Sequence, residues 1–585
     1  MSENVSGAPL PRFDRRFFGG AVRFSEIGSG AVGGKAAGLR RALETLADRP
    51  AALRHERLEI SVPTLAVIGT DVYDAFLDRN GLRAVIAEEP GDHHVARKFQ
   101  QAELPAEIAG DLWDVVREVH QPLAVRSSSL LEDAREHPFA GVYQTKMTPN
   151  EAQDPQTRFH RLVEAVKFVW ASAGFRDARA AVRAAGYDPD EEKMAVVVQE
   201  VVGRRHGPRF YPDVSGVARS YNFYPTPPLR PEEGVVDLAL GLGKTIVDGG
   251  RAWTYSPAHP ASVPPFNSIG HMLEETQTRF YAVRMDKPPV YDPTAEAEYL
   301  VHCELADAEA DGTLARVAST YDPERDRVVP GTGASGPRVL DFAPLLRFPD
   351  YPVNDAVRGL LALFAERTAQ PVEIEWAFTF PEAEGAPARL GFLQVRPMAL
   401  SDETVELDEA ALADPGAVVA SDHALGNGVV DGLADVVFVR RDRFESRHLP
   451  AIAAEVEGLN RALVAAGRTY VLIGFGRWGS ADPWLGAPVT WPQIAGARVI
   501  VEAALPGFHA DMSQGAHFFH NLLGFRVLYF SVPEGGGGRI DWDWLERLPR
   551  RSEGQWVCHA ELPAPLTARV DGRRGRGVVM RGVKA

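Results

Sequence analysis

Two apolar runs near residue 375 constrain this chain more than any other feature, because each carries charge where a buried strand tolerates none unpaired. They read Val372-Glu373-Ile374-Glu375-Trp376-Ala377-Phe378 and Leu390-Gly391-Phe392-Leu393-Gln394-Val395-Arg396-Pro397-Met398, joined by a polar loop over 381–389. The pattern predicts two strands of one hairpin. Side chains alternate along a strand, so Glu373 and Glu375 share one face, as do Gln394 and Arg396. Pairing the strands gathers carboxylates, an amide oxygen and a guanidinium. Leaving such groups buried without partners costs several kcal/mol per ion. A structural Glu375–Arg396 ion pair is one answer. A bound cation with a polyphosphate is another, since magnesium takes one or two protein oxygens while phosphates and water complete its shell.

Three further stretches carry chemistry. Leu123-Ala124-Val125-Arg126-Ser127-Ser128-Ser129 is an apolar strand delivering one arginine into consecutive hydroxyl residues, followed by Glu132-Asp133 and by Phe139-Ala140-Gly141. An arginine so placed can grip phosphate through bidentate charge-assisted hydrogen bonds. A surface arginine capping a serine-rich turn is the plainer alternative. Upstream, Gly28-Ser29-Gly30-Ala31-Val32-Gly33-Gly34-Lys35 opens a helix with leucines at 39, 43 and 46. Amides at a helix N-terminus favour an anion, and Lys35 adds a point charge. It is not a P-loop, because no Gly-Lys-Ser/Thr follows a four-residue spacer. The run Met194 to Val202 is rich in β-branched residues and predicts a buried strand, in which Gln199 and Glu200 need partners or lie on a polar edge. Helices are predicted over 71–79, about 108–119 and 158–185, and a strand over 63–68.

In this order the elements resemble the nucleotide-binding domain of the phosphoenolpyruvate synthase and pyruvate phosphate dikinase family. The matching motifs are Gly33-Gly34-Lys35, Val125-Arg126-Ser127-Ser128 with Phe139-Ala140-Gly141, Gly241-Leu242-Gly243, and Ile374-Glu375-Trp376-Ala377 with Gln394-Val395-Arg396-Pro397. The resemblance implies a multidomain α+β and α/β protein with an ATP-grasp-like nucleotide domain of two subdomains. ATP and Mg2+ are the implied cofactors. Lys35, Arg126 and Arg396 would contact the phosphates, and Glu375 and Gln394 the metal. Gln199, Glu200 and Val202 would border the adenine, and Gly241 and Gly243 would complete the ATP pocket. The expected division is an arm over 1–24, a first subdomain over 25–230, a second over 231–400 and a C-terminal α/β domain over 401–585. Two departures stand out. Lys244 occupies a position where the family has Glu, and the element Gly216-Val217-Ala218-Arg219-Ser220 is distorted from the family pattern.

The C-terminal third lacks the family's phosphohistidine motif, and 401–585 is too short for a TIM barrel of ~250 residues. Residues 424–439 only loosely resemble the start of a swivelling domain. Strands over 470–475, 498–501 and 526–532 are predicted, with Arg477, Asp482, Ser513 and His517 at strand ends and turns, where sites on α/β scaffolds tend to lie. His517 could accept a phosphoryl group as neutral imidazole; a histidine packed under Phe518 and Phe519 is the ordinary alternative.

A net charge of -16 argues against nucleic acid or an anionic membrane as partner. Two separate cysteines, Cys303 and Cys558, give neither a disulfide framework nor a zinc site. With no apolar segment of membrane length, the residues predict a cytoplasmic protein. Two functional readings emerge. One is an ATP-dependent phosphotransferase acting on an unidentified small-molecule or protein acceptor. The other is a nucleotide-binding sensor, which Lys244 and the missing histidine motif favour.

Overall fold

The computed structural model describes the whole chain except 1–10, 15–22, 49–52, 133–140, 223–224, 226–228, 263–267, 289, 348–349, 399–404, 481–485, 506–521, 523–524, 573 and 583–585. Its N-terminal part is built on two sheets. The first has five strands in the order Phe24–Ile27, Leu65–Ile68, Met194–Glu200, Leu123–Ser129, Thr145–Thr148. The unbroken apolar run of Met194–Glu200 has its reason here, because both faces of the strand are covered. Val196 and Val198 enter a core made with the surrounding helices, whereas Ala195 and Val197 enter a second core.

Helices Thr70–Arg79, Asp92–Gln101, Ala106–Glu118 and Pro155–Ser172 build that first core. The single helix expected over 158–185 is in fact two, Pro155–Ser172 and Arg176–Ala184. Two contacts account for the break, one local and one from another helix. Ser172 turns its hydroxyl back onto the Val169 carbonyl at 2.7 Å, and the Asp92 carboxylate accepts the Arg176 amide at 2.9 Å, which starts the next helix.

The second sheet has six strands, ordered Trp253–Tyr255, Val235–Ala239, Val214–Arg219, Val372–Thr379, Ala388–Pro397, Leu58–Ser61. The predicted hairpin is present. Its antiparallel register sets Glu373 opposite Arg396 and Glu375 opposite Gln394, with a bulge between Glu375 and Trp376. Helix Gly33–Ala47 joins the two sheets, since its Ala36, Leu39 and Ala42 lie in the one core that also holds Val197, Ile374 and Val395. A four-stranded sheet, Leu300–Glu304, Arg279–Arg284, Arg209–Tyr211, Arg204–His206, flanks them.

The C-terminal body is one large mixed sheet. Gly428–Val439, Tyr470–Phe475, Ala497–Ala503 and Leu528–Val532 run parallel at its centre, with helix Leu449–Ala465 packed against it. The edge strand His423–Leu425 folds back toward Arg576–Met580, as the Ala424 amide donates to the Gly575 carbonyl at 2.7 Å. Among the described residues no helix is long and apolar enough to cross a membrane.

Candidate functional site

The site forms where Leu123–Ser129 of the five-stranded sheet meets the Val372–Pro397 hairpin of the six-stranded sheet. Arg126 reaches across. Its guanidinium donates to the Gln394 side-chain oxygen at 2.9 Å and to the Leu393 carbonyl at 3.1 Å. It also lies 3.6 Å from Glu375. Arg396 completes the group, 3.2 Å from Glu375 and 3.5 Å from Glu373. Residues nearly 270 positions apart thus converge on one carboxylate. Glu375 Oε1 is buried and near the Arg396 guanidinium, yet misaligned to accept a hydrogen bond from it. An under-satisfied buried carboxylate oxygen beside an amide oxygen fits a hard cation, so Glu375 and Gln394 are the residues that could hold magnesium.

Glu373 has a different task. It accepts from Arg219 at 2.8 Å, and Arg219 also bonds Asp237 at 3.0 Å, itself held by the Thr254 hydroxyl at 2.7 Å. All of Arg219, Asp237 and Glu373 are buried. Burial pushes the Asp237 carboxyl up, with Arg219 opposing it. The element that looks distorted in sequence therefore contributes, through Arg219, the support behind Glu373 and Arg396. Sequence reasoning missed Arg219 and Asp237. The available signal was a charged residue within each of two strand-like runs.

Lys35 lies beneath the arginine strand. Gly33, at φ 75°, starts its helix against Leu123–Ser129 so closely that a Cβ would fall 1.8 Å from the Ser128 carbonyl oxygen. Only glycine permits that approach. The buried Lys35 ammonium donates to the Ser127 carbonyl and to Glu132, each at 2.9 Å. Glu132 is the third residue that sequence reasoning left without a role.

Gln199 is 2% exposed; its side-chain oxygen accepts from Arg126 at 3.4 Å, and among the described residues its side-chain nitrogen has no hydrogen-bond partner. Glu200 and Val202 follow at the strand end, with Val202 over Gly391 of the hairpin, where a Cβ would come within 2.4 Å. Gly241 and Gly243 lie on the loop after Val235–Ala239, Gly243 beside Ser215. Gly241, at φ 79°, backs onto the Tyr281 carbonyl. Lys244 does not present a bare cation there, because Asp248 stands 3.0 Å and Glu296 3.9 Å from its ammonium. His517, Asp482 and Ser513 lie outside the described residues, whereas Arg477 follows the end of Tyr470–Phe475.

Residues 29–415 match the family model of the pyruvate phosphate dikinase AMP/ATP-binding domain. The chain belongs to this family. A phosphoenolpyruvate synthase from Aeropyrum pernix is 26% identical over 411 residues, covering 66% of this chain and 43% of that protein. The chain therefore spans less than half the length of that relative. All the dikinase-family motifs, from Gly33-Gly34-Lys35 to Gln394-Val395-Arg396-Pro397, fall within the matched range, which ends just before the C-terminal sheet begins at Ala417–Ser421.

Proposed function

We infer that the chain is an ATP-dependent phosphotransferase that binds Mg-ATP in an ATP-grasp-like manner between the five- and six-stranded sheets. The observation that carries this reading is the meeting of Arg126, Glu375, Gln394 and Arg396 from two sheets around one under-satisfied carboxylate. In this reading Arg126, Arg396 and Lys35 stabilise charge on the phosphates, and Glu375 and Gln394 position magnesium. Magnesium, when bound, neutralises charge on the phosphate oxygens. Gln199 offers its side-chain nitrogen, and the Glu200–Val202 segment its backbone, to the adenine. Gly241 and Gly243 close the far wall, and the two sheets supply the two subdomains, the six-stranded one drawing Leu58–Ser61 and Val214–Arg219 from the first 230 residues. Catalysis rests on positioning and electrostatics, as phosphoryl transfer generally does. The acceptor is a small molecule or protein group brought in by the C-terminal body, with His517 as a candidate relay.

Incubation of the pure chain with magnesium and ATP, followed by nucleotide separation, tests this. Release of AMP or ADP that is lost in Arg126→Ala and Glu375→Ala is the expected outcome. Binding of ATP without any product would favour the sensor reading, to which Lys244 in place of the family's Glu lends support.

A further inference from the structure

A second cleft, distant in character from the first, opens between helix Arg176–Ala184 and the C-terminal body, where helix Leu449–Ala465 and the turn Trp491–Ile494 form the opposite wall. It encloses about 1020 Å³, the size of a cavity that takes a nucleotide-sized ligand. Six arginines and four carboxylates line it, and Asp190, just outside the lining, stands 2.8 Å from Arg179.

The pairing within the cleft is uneven. Glu89 is taken by Arg183 and, at 3.7 Å, by Arg179. Glu457 is taken by Arg461 and by Gln493 at 3.1 Å. Asp92 caps the Arg176 amide at 2.9 Å, and burial together with the neighbouring carboxylates Glu457 and Asp92 pushes the Asp177 carboxyl up to about 6, with Arg461 and the Thr490 hydroxyl opposing that shift. Arg468 is fixed rigidly, by Asp435 and Glu561, each at 2.7 Å, and Asp435 is held in turn by His559 at 2.7 Å.

Two guanidiniums remain. Among the described residues, the side chain of Arg176 donates only to the Pro90 carbonyl, at 3.3 Å. That of Arg498 donates only to the Phe525 carbonyl, at 2.9 Å. Burial pulls the proton affinity of Arg498 down with no carboxylate to offset it. A guanidinium has five donors in a planar fork suited to phosphate, and each of these two engages a single carbonyl. Among the described residues, neither of these two arginines forms an ion pair, unlike the other four of the cleft.

We propose that this cleft binds a phosphorylated small molecule, held by Arg176 and Arg498 with the fixed Arg468 beside them, and that the ligand bridges the nucleotide-binding part of the chain to its C-terminal body. The inference does not depend on the assignment of the ATP site.

Inorganic pyrophosphate is a suitable probe, read by hydrogen–deuterium exchange so that the place of binding is seen directly. Pyrophosphate is expected to slow exchange in peptides covering 176–184 and 491–498. In Arg498→Gln, and separately in the exposed Arg176→Gln, the same protection should need at least about tenfold more pyrophosphate, a loss of ~1.4 kcal/mol. Arg126→Ala should leave it unchanged. Thermal unfolding confirms that each variant is folded. The proposal is overturned if pyrophosphate protects only 123–129 and 372–397, if it protects nothing, or if protection of the cleft survives both cleft substitutions.

Discussion

Lys35 and Glu132 show how a single pair can serve stability and chemistry at once, and how to separate the two. Both side chains are buried, 2.9 Å apart, so removing one strands the other. Breaking a buried pair in this way costs about 3–5 kcal/mol. Lys35→Met should therefore lower the denaturation midpoint in urea sharply, whereas Lys35→Met combined with Glu132→Gln should recover most of the loss. Turnover should recover in neither, if Lys35 also meets the phosphates. A double variant with full activity would reduce Lys35 to a structural role. Glu192 gives a second residue-level test. Burial pushes its carboxyl from 4.5 up to about 7, with the hydroxyls of Tyr143 and Ser129 opposing that shift. The folded state thus holds the proton more tightly than the unfolded state does. Its contribution is fully present below pH 4.5 and is lost as pH rises towards 7, by an amount on the order of 3 kcal/mol. Chemical denaturation of Glu192→Gln between pH 5 and 7.5 should lack this falling component. An unchanged slope would remove Glu192 as its source.

At the level of elements, the hairpin was legible because strand alternation and charge position together leave one plausible pairing. Glu373, Glu375, Gln394 and Arg396 take the faces that period-two reading assigns to them. Met194–Glu200 was legible for a related reason, since an unbroken apolar run demands cover on both faces. Arg219 was not, because its partners lie 18 and 154 residues away and cross-strand register cannot be read from local pattern. Nor was the break between helices at Gly174, which depends on Asp92 capping from another element. At the N-terminal helix the structure adds a reason that the sequence does not show. Gly33 reads as part of a glycine-rich turn opening a helix, and its place in the fold lets helix Gly33–Ala47 seat against Ser128. Gly33→Ala should push that helix off the strand. The combined clash and left-handed backbone cost at least about 1–3 kcal/mol, visible as a lower urea midpoint. ATP binding should weaken alongside it, because Lys35 and Arg126 lose their common frame. A variant with wild-type stability would show that the helix can shift without consequence.

For the molecule as a whole, the continuity of the core sets the behaviour. One apolar cluster includes Ala178, Ala181 and Val182 of helix Arg176–Ala184, Val456 of helix Leu449–Ala465, and Trp491 and Ile494 of the facing turn. The nucleotide-binding part and the C-terminal body are thus joined by apolar packing as well as by the charged cleft. Domains that meet over small polar surfaces unfold separately, whereas a shared apolar core couples their transitions. The full chain should therefore unfold in one calorimetric transition. Cutting it after residue 415 should expose the helix Arg176–Ala184 face, lower the transition temperature of the remaining part and raise binding of a hydrophobic dye. A saturating non-hydrolysable ATP analogue with magnesium should raise the single transition of the intact chain by mass action, since a ligand that binds only the folded state stabilises whatever unfolds with its site. If the C-terminal body melts at a temperature the analogue does not move, the two parts are energetically separate, and a ligand in the cleft between them would have no packed interface through which to act.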